Sequence, residues 1–390
     1  MPVMTPDAML AKLVGFDTTS ARSNLELIYW VADWLDGLGV VSRLTFNADH
    51  TKANLFATVG PEDQGGVVLS GHTDVVPVTD QSWDSDPFTL TQRDGRFYGR
   101  GTADMKGFLA CALALVPDFR ASGLKVPIHL ALSFDEEVGC LGVPALIRDV
   151  MDNLPRPRLV LVGEPTSMRL VNAHKGIRAY HTVVTGKEAH SGLPHLGVNA
   201  ISFAAEIVRF LDAKAEELAS RPDPASAFEP PWTTLNVGRI EGGTALNIIA
   251  RTCSLVWEFR PLPGTDAQAI EAEVERHIAE TVLPRLKARH AEGSIRTTRL
   301  CAVPPLTPEP DSPAESLVRL LTDATGAGTV SFTTEAGLFQ DESIPAVVCG
   351  PGSIEQAHKP NEFIARDQMA ACEVFLRKLK GWAVSPDGER

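Results

Sequence analysis

The stretch Val67-Val-Leu-Ser-Gly-His-Thr-Asp-Val-Val-Pro77 runs from a short apolar segment into a loop that carries a histidine and an aspartate. The apolar segment predicts a buried strand, and loops at the carboxyl ends of strands are where α/β sheets place their ligands. His72 and Asp74 are two residues apart, so on an extended backbone their side chains share a face. The pair suits a metal ligand oriented by a carboxylate. Taken alone, it is explained more simply by a loop histidine hydrogen-bonded to its neighbour.

Further apolar runs predict strands that also end in ionisable residues. Ser133-Phe-Asp-Glu-Glu-Val-Gly139 places three acids at the end of one run, Glu164 closes the next, and His358 follows a later one in a loop shaped by glycine and proline. Acids at the end of a buried strand cost free energy unless a cation or a water-filled cleft receives them. A solvated turn is the alternative interpretation for the three consecutive acids.

The stretch Tyr98-Gly-Arg-Gly-Thr-Ala-Asp-Met-Lys-Gly107 leads into a segment rich in Ala and Leu, which we predict to be a buried helix. An aspartate at a helix start, such as Asp104, is usually a cap for free N–H groups. The glycines around Asp104 instead indicate an unusual backbone path at this residue.

Together, these loops supply the side chains that a pair of divalent cations such as zinc requires. They contribute histidines, glutamates and one aspartate that two ions can share, namely His72, Asp104, Glu136, Glu137, Glu164 and His358. One glutamate is left over as a free carboxylate. This supply matches a two-metal hydrolase, in which ions about 3.5–4 Å apart activate a bridging water and a free carboxylate takes its proton.

The apolar pattern divides the chain into two kinds of structure. Strand and helix patterns alternate up to about residue 177 and again after about residue 290, which predicts an α/β layer architecture. Between these positions, period-2 strands accompany two helices, which is typical of an α+β module. We therefore predict a catalytic, metal-binding domain of residues 1–176 and 291–390, interrupted by a smaller inserted domain of residues 177–290.

Composition excludes several classes of partner. The chain of 390 residues has 49 acidic and 36 basic residues, for a formal net charge of −13, and an acidic surface repels phosphate backbones and anionic lipid. We therefore expect no nucleic-acid partner and no membrane partner.

The chain has no apolar run long enough to span a bilayer, and its first residues lack the features of a signal peptide. Six scattered cysteines indicate reduced thiols and thus a cytoplasmic protein.

In this order, the motifs resemble those of a family of two-metal amidohydrolases and exopeptidases. The family includes aminoacylase, carboxypeptidase G, succinyl-diaminopimelate desuccinylase and acetylornithine deacetylase, and the resemblance runs from about residue 5 to the C-terminal helix. It implies a zinc-exopeptidase-like α/β catalytic domain, with a mixed sheet between helices, and a smaller α+β dimerisation or lid domain. It also implies two divalent metal ions as cofactors, zinc with cobalt as a substitute.

The resemblance implies roles for the candidate residues of the catalytic domain. The metal ligands are expected to be His72, Asp104, Glu137, Glu164 and His358. Asp104 is expected to bridge the two ions, and the peptide bond after it to be cis. Glu136 is expected to be the general base, and Asp74 the carboxylate that orients His72.

The resemblance also implies roles for the inserted domain. His190 is expected to reach the substrate carbonyl, with a polar loop histidine as the alternative. Asn247 and Arg260 are expected to hold the substrate carboxylate, because the planar fork of an arginine suits that anion. A surface salt bridge is the alternative for Arg260. In several relatives the smaller domain forms a dimer contact and its histidine enters the partner's active site, so we expect a homodimer.

Segments such as Val237-Gly-Arg-Ile-Glu-Gly-Gly-Thr-Ala-Leu-Asn247 and Thr334-Glu-Ala-Gly-Leu-Phe-Gln340 are similar to those of acetylornithine deacetylases. This implies a small-molecule N-acyl amino acid substrate, N2-acetyl-L-ornithine, hydrolysed to ornithine and acetate in arginine biosynthesis. The alternatives are a succinyl-diaminopimelate desuccinylase and a broad N-acyl amino acid amidohydrolase. A catalytically inactive binding protein would lack a ligand or Glu136, and the sequence retains them all.

Overall fold

The computed structural model describes residues 3–386. These residues divide into two compact units. The larger unit contains residues 3–173, 306–329 and 334–386, and the smaller unit contains residues 174–305 and 330–333. Among the helices of the described residues, none is long and apolar enough to cross a membrane.

The regular elements alternate between strands and helices through most of the chain. The strands are β1 (Ser42–Phe46), β2 (Ala53–Val59), β3 (Val67–His72), β4 (Thr91–Arg93), β5 (Arg96–Tyr98), β6 (Ile128–Ser133), β7 (Leu159–Pro165), β8 (Val171–His174), β9 (Ile177–Thr185), β10 (Thr234–Gly242), β11 (Thr252–Arg260), β12 (Ser294–Val303), β13 (Gly328–Val330), β14 (Ala346–Gly350) and β15 (Phe363–Ala365). The helices are α1 (Pro6–Val14), α2 (Leu25–Asp36), α3 (Gly107–Ala114), α4 (Val116–Ala121), α5 (Val143–Asn153), α6 (Ala200–Ala219), α7 (Ala267–His277), α8 (Leu283–Arg289), α9 (Pro313–Thr322), α10 (Ala336–Asp341) and α11 (Arg366–Val384).

A mixed sheet with the strand order β1-β2-β6-β3-β7-β14-β8-β13 organises the larger unit. The central neighbours β6, β3, β7 and β14 run parallel, whereas β2 and β8 pair antiparallel with β6 and β14. Every residue of β3, β6 and β7 is buried, which explains their nearly continuous apolar sequences. This mixed sheet confirms the predicted α/β fold class.

The first two helices each follow a polar residue of a type that often caps helices. α1 follows Thr5, whose side-chain oxygen accepts a hydrogen bond from the N–H of Ala8. α2 follows Asn24, but this side chain does not cap the helix. The Asn24 amide instead bonds to the backbone N–H and carbonyl of Ala53, over 3.0 and 2.9 Å, and so ties the start of α2 to β2.

The smaller unit contains an antiparallel sheet with the strand order β10-β11-β9-β12. Alternate residues of β9 and β11 are buried, as the period-2 pattern predicts. Their buried side chains pack with apolar residues of α6, α7 and α8. One face of this sheet is therefore covered by helices, and the unit has its own hydrophobic core.

The second boundary of the smaller unit lies later than the predicted position after residue 290. β12 pairs with β9 from Ser294 opposite Thr185 to Val303 opposite Ile177, so residues 291–305 belong to the smaller unit. The strand lies at the edge of the sheet, and most of its residues are exposed or half-buried. Its polar sequence therefore gave little sign of a strand in this sheet.

Candidate metal centre

Parallel strands bring the candidate residues to one edge of the sheet in the larger unit. β3 ends at His72, Glu164 is next to last in β7, and Glu136 and Glu137 lie just beyond β6. His358 lies in the loop after β14. Because these strands are parallel neighbours, their carboxyl ends lie side by side, which is where ligands bind in such sheets.

Asp104 reaches this edge from a loop. The loop turns at Gly101, whose φ of 81° is left-handed, and a Cβ atom there would lie 2.7 Å from Cγ1 of Val75. The Asp104–Met105 peptide bond is cis, as the resemblance implies. Asp104 and Met105 have non-helical backbone angles, and α3 begins at Gly107. Asp104 is therefore not a cap of α3, which was the alternative interpretation.

Asp104 lies between two histidines. Its Oδ1 is 3.0 Å from Nε2 of His72, and its Oδ2 is 3.3 Å from Nε2 of His358. Nε2 of His72 is also 3.7 Å from Oε1 of Glu164, and Nε2 of His358 is 3.0 Å from Oε2 of Glu137. The five side chains thus form two groups that share one carboxylate.

Glu136 lies within the same cluster. Ligand atoms of His72, Glu136 and Glu164 lie within 4.8 Å of one another, and so do those of His72, Asp104 and Glu137. The thiol of Cys140 donates a hydrogen bond to Oε1 of Glu136 over 3.4 Å. The structure therefore brings the expected general base and the expected ligands together.

Burial and mutual repulsion disfavour the charged forms of the glutamates in this cluster. Burial, with neighbouring carboxylates, raises the pKa of Glu136 to about 8 and that of Glu137 to about 7. The same causes raise the pKa of Glu164 well above its usual range. Burial also opposes ionisation of Asp104, but hydrogen bonds with the two histidines outweigh it and lower the pKa of Asp104. A buried cluster of several carboxyl groups and two imidazoles suits divalent cations, because the charge of the cations favours the ionised carboxylates.

The carboxylate of Asp74 was expected to orient His72, but its hydrogen-bond partners are other groups. Nδ1 of His72 donates to the backbone carbonyl of Asp74 over 2.9 Å, whereas the nearest carboxylate oxygen is 3.7 Å away. The carboxylate accepts hydrogen bonds from the backbone N–H groups of Glu136 and Glu137, over 3.1 and 3.3 Å, and from Oγ of Ser20 over 2.7 Å. These buried donors need an acceptor, and Asp74 supplies it. Asp74 thus orients His72 through its backbone and holds the glutamate loop through its side chain.

The three candidate residues of the smaller unit are half-buried or exposed. His190 and Asn247 lie on neighbouring segments, since His190 bridges to Ile248 and the N–H of Ser191 donates to the Asn247 carbonyl over 2.9 Å. Arg260 ends β11, and its Nε pairs with the carboxylate of Glu258 over 2.9 Å. This pair is the salt bridge named above as the alternative. A substrate carboxylate would have to compete with it for the guanidinium.

One buried acid at this sheet edge, Glu335, is not indicated by any sequence pattern described above. The carboxylate of Glu335 is fully buried and accepts hydrogen bonds from Oγ of Ser70, over 2.5 Å, and Oγ of Ser133, over 2.8 Å. These serines lie on the neighbouring strands β3 and β6, close to the ends that carry the candidate ligands. The contacts join residues 265 and 202 positions apart, so no local pattern could have predicted them.

The sequence matches a known family over most of its length. Residues 68–379, which include all the candidate ligands, match the peptidase family M20/M25/M40. The site and this match define an enzyme that hydrolyses amide bonds. The chain belongs to the peptidase family M20/M25/M40, which confirms the resemblance found from the motifs.

Two curated relatives are named acetylornithine deacetylase. The protein from Pasteurella multocida (strain Pm70) is 35% identical over 382 residues, covering 96% of each chain. The protein from Myxococcus xanthus is 37% identical over 378 residues, covering 95% of each chain.

Solved structures share the fold at lower sequence identity. An M20 family metallo-carboxypeptidase from Sulfolobus solfataricus gives a TM-score of 0.78 at 19% identity, with 99% of this chain and 100% of that chain covered. A dinuclear metal-binding peptidase of the M20 family from Bacillus subtilis gives a TM-score of 0.62 at 15% identity, with 97% of each chain covered. The fold is therefore that of M20 family peptidases.

Proposed function

We propose that the protein hydrolyses N2-acetyl-L-ornithine to L-ornithine and acetate with the help of two divalent metal ions. The observation that carries the proposal is the position of Asp104 between His72 and His358, within a buried cluster of glutamates. A carboxylate that faces two imidazoles suits a ligand shared by two ions. The names of relatives at 35% and 37% identity support the substrate.

The donor set fits both ions. One ion would be held by His72, Asp104 and Glu164, and the other by Asp104, Glu137 and His358. When bound, the ions would polarise the acetyl carbonyl and lower the pKa of a water molecule. Imidazole and carboxylate donors suit zinc, the proposed physiological ion, and also cobalt as its substitute.

Glu136 would move the proton of the reaction. It would accept a proton from the attacking water and return it to the ornithine nitrogen as the carbon–nitrogen bond breaks. Burial and neighbouring carboxylates oppose ionisation of Glu136 in the metal-free site, and bound cations would favour the carboxylate form that accepts the proton. The carboxylate of Asp74, which accepts the Glu136 N–H, keeps the base in place.

The smaller unit would bind the substrate. His190 would donate a hydrogen bond to the oxyanion that forms on the acetyl carbonyl. Asn247 and Arg260 would hold the substrate carboxylate, for which Arg260 has to exchange its partner Glu258.

The proposed assembly is a homodimer formed through the smaller unit, with His190 acting in the partner's site. β10 lies at an edge of its sheet, and an edge strand offers backbone N–H and carbonyl groups to another chain. Ile240 on this strand is 51% exposed, and Leu246 and Ile248 just beyond it are also exposed. An edge with apolar side chains suits a two-fold contact with the same strand of a second copy.

Charge and cysteine chemistry support a cytoplasmic enzyme with a small-molecule substrate. All six cysteines are buried thiols, as suits a reducing compartment. The net charge of −13 disfavours nucleic-acid and membrane partners.

The test compares kcat/KM for three substrates, with zinc or cobalt added. We expect acetylornithine to be hydrolysed at least about tenfold more efficiently than succinyl-diaminopimelate or acetylmethionine, which corresponds to about 1.4 kcal/mol in transition-state binding. A preference for succinyl-diaminopimelate would make the protein a desuccinylase. Equal rates would make it a broad amidohydrolase, and either result would overturn the proposed substrate.

A further inference from the structure

We propose that Arg100 and Glu362 are positioning residues for Asp104 and His358, two of the three side chains that would hold the second metal ion. This inference rests on the proposed function. Asp104 and His358 come from loops more than 250 residues apart, and the buried contacts of Arg100 and Glu362 join these two loops.

Glu362 holds the loop that leads to Asp104. Its Oε1 accepts hydrogen bonds from the backbone N–H groups of Ala103 and Asp104, over 2.8 and 3.2 Å. Its Oε2 accepts from the N–H of Gly101, over 3.0 Å, and from the guanidinium of Arg100, over 2.7 Å. One carboxylate thus satisfies three backbone donors of the loop and fixes the path of its backbone.

Arg100 holds the loop of His358 from the other side. Its Nη1 donates to the carbonyl of Lys359 over 3.3 Å, and its Nη2 donates to Oε1 of Gln81 over 2.6 Å. Gln81 in turn donates through Nε2 to the carbonyl of His358 over 3.0 Å. The guanidinium is therefore linked to two successive backbone carbonyls, directly to that of Lys359 and through Gln81 to that of His358.

Both loops need such support. Gly101 has a φ of 81° and His358 has a φ of 63°. Both values are left-handed, and residues other than glycine rarely adopt this backbone conformation. A histidine held in this conformation depends on the surrounding contacts. The contacts of Arg100 and Gln81 fall directly on this residue and the next one.

Burial argues that the pair does more than stabilise the fold. The side chains of Arg100 and Glu362 are each 1% exposed. A buried ion pair adds little stability compared with apolar side chains of similar size, because both charges lose their water. Here the pair satisfies three backbone N–H groups of the Asp104 loop and one backbone carbonyl of the His358 loop. Its consequence is a fixed distance between the Asp104 carboxylate and the His358 imidazole.

The experiment measures zinc binding by the metal-stripped full-length protein in competition with a chromogenic chelator. The variants are Arg100→Met, Glu362→Gln and Gln81→Ala, each checked for folding by circular dichroism. We expect Glu362→Gln to bind both zinc equivalents about 10–100-fold more weakly, because Asp104 is the shared ligand, and Arg100→Met to weaken mainly the equivalent that His358 would hold, by a similar factor. Gln81→Ala should weaken the same equivalent by a smaller factor.

Arg319→Met is the matched control. Arg319 also pairs with a glutamate, Glu315, over 2.6 Å and donates to a backbone carbonyl, that of Ala324, over 3.2 Å. It contacts no candidate ligand among these partners, so zinc binding should be unchanged even if the melting temperature falls.

Unchanged zinc affinity in the folded variants, with a lower melting temperature alone, would overturn the inference. If the two buried variants fail to fold, Gln81→Ala decides, because Gln81 is partly exposed and its loss should leave the fold intact. A wild-type protein that binds no zinc would instead contradict the proposed function, so the two failures are distinguishable.

Discussion

The carboxylate of Asp74 accepts a hydrogen bond from the backbone N–H of Glu136 over 3.1 Å, while its backbone carbonyl accepts one from the imidazole of His72. One residue thus connects a proposed metal ligand with the proposed general base. The proposed metal binding and the proposed proton transfer therefore both depend on Asp74, one through its peptide group and the other through its side chain.

We expect Asp74→Ala and Asp74→Asn to lower kcat by about 10–100-fold, since supporting groups of this kind typically have effects of that size. Asn keeps one acceptor oxygen, but its NH2 group would face a backbone N–H. The measurement is kcat on acetylornithine with saturating zinc. Asp149→Ala, which removes a surface ion pair with Arg43, is the control and should keep the wild-type kcat. Full activity of Asp74→Ala would show that the loop of Glu136 and Glu137 keeps its conformation without the Asp74 carboxylate.

Glu136→Gln tests the division of roles between the two neighbouring glutamates. Loss of a general base typically lowers kcat by about 10²–10⁴-fold, and we expect this loss without loss of metal. Glu137→Gln is the matched variant, and it should lose one metal equivalent because a ligand is replaced. Elemental analysis beside kcat separates the two effects. An empty metal position in Glu136→Gln, with Glu137→Gln fully loaded, would exchange the two roles.

The sequence predicts the sheet edge well because it is built from local patterns. Each parallel strand is a short apolar run, and a residue that the structure brings to the site lies at its end or in the loop that follows, as with His72 after Val67-Val-Leu-Ser70. Strand polarity alone then places these ends together. The location of the site therefore needed no knowledge of tertiary contacts.

The supporting contacts could not be predicted in this way. Glu335 reaches Ser70 and Ser133 from the far end of the chain, and Glu362 reaches the loop of Asp104 across more than 250 residues. Nothing in the local sequence of these glutamates indicates which donors they meet. β12 could not be predicted for a related reason. Its sequence is mostly polar, and only its pairing with β9 identifies the segment as a strand.

The buried imidazole of His129 should make stability depend on pH. Its Nε2 accepts a hydrogen bond from the N–H of Gly66 over 3.0 Å, so Nδ1 carries the proton and lies 3.0 Å from Oγ1 of Thr58. Burial lowers the pKa of His129 to about 4. As pH falls from about 6.5 to about 4, the unfolded chain takes up a proton that the folded chain does not. The contribution of His129 to the free energy of unfolding should therefore decrease by about 3 kcal/mol as the pH falls through this window.

His129→Gln checks this dependence, because an amide can replace the neutral imidazole and does not titrate. Urea unfolding of the metal-stripped proteins between pH 4 and pH 7 should give a shallower slope for the variant. Parallel slopes for the two proteins would mean that His129 does not control this dependence.

The proposed trans role of His190 can be tested by mixing two inactive variants. His190→Ala should lower kcat by about 10²–10³-fold, which is the typical effect of removing an oxyanion donor, and the variant should still bind metal. Glu136→Ala lacks the base but keeps His190. After subunit exchange at equal amounts, about half of the dimers should be heterodimers, each with one site that has both groups. Activity should then return.

Mixing two batches of His190→Ala provides the control for this experiment and should give no recovery. Exchange itself is followed with subunits carrying different tags. Subunit exchange without recovery of activity would mean that His190 acts in the site of its own chain or has no role in the reaction.

The most direct test of the central claim is the rate of acetylornithine hydrolysis as zinc is added back to the metal-stripped protein. The claim is that Asp104, shared between His72 and His358, holds two ions that the reaction requires. We predict negligible activity without metal, a rise that ends near two equivalents per chain, and a much lower plateau for Asp104→Ala. Full activity of the metal-stripped protein, or of Asp104→Ala, would contradict the account.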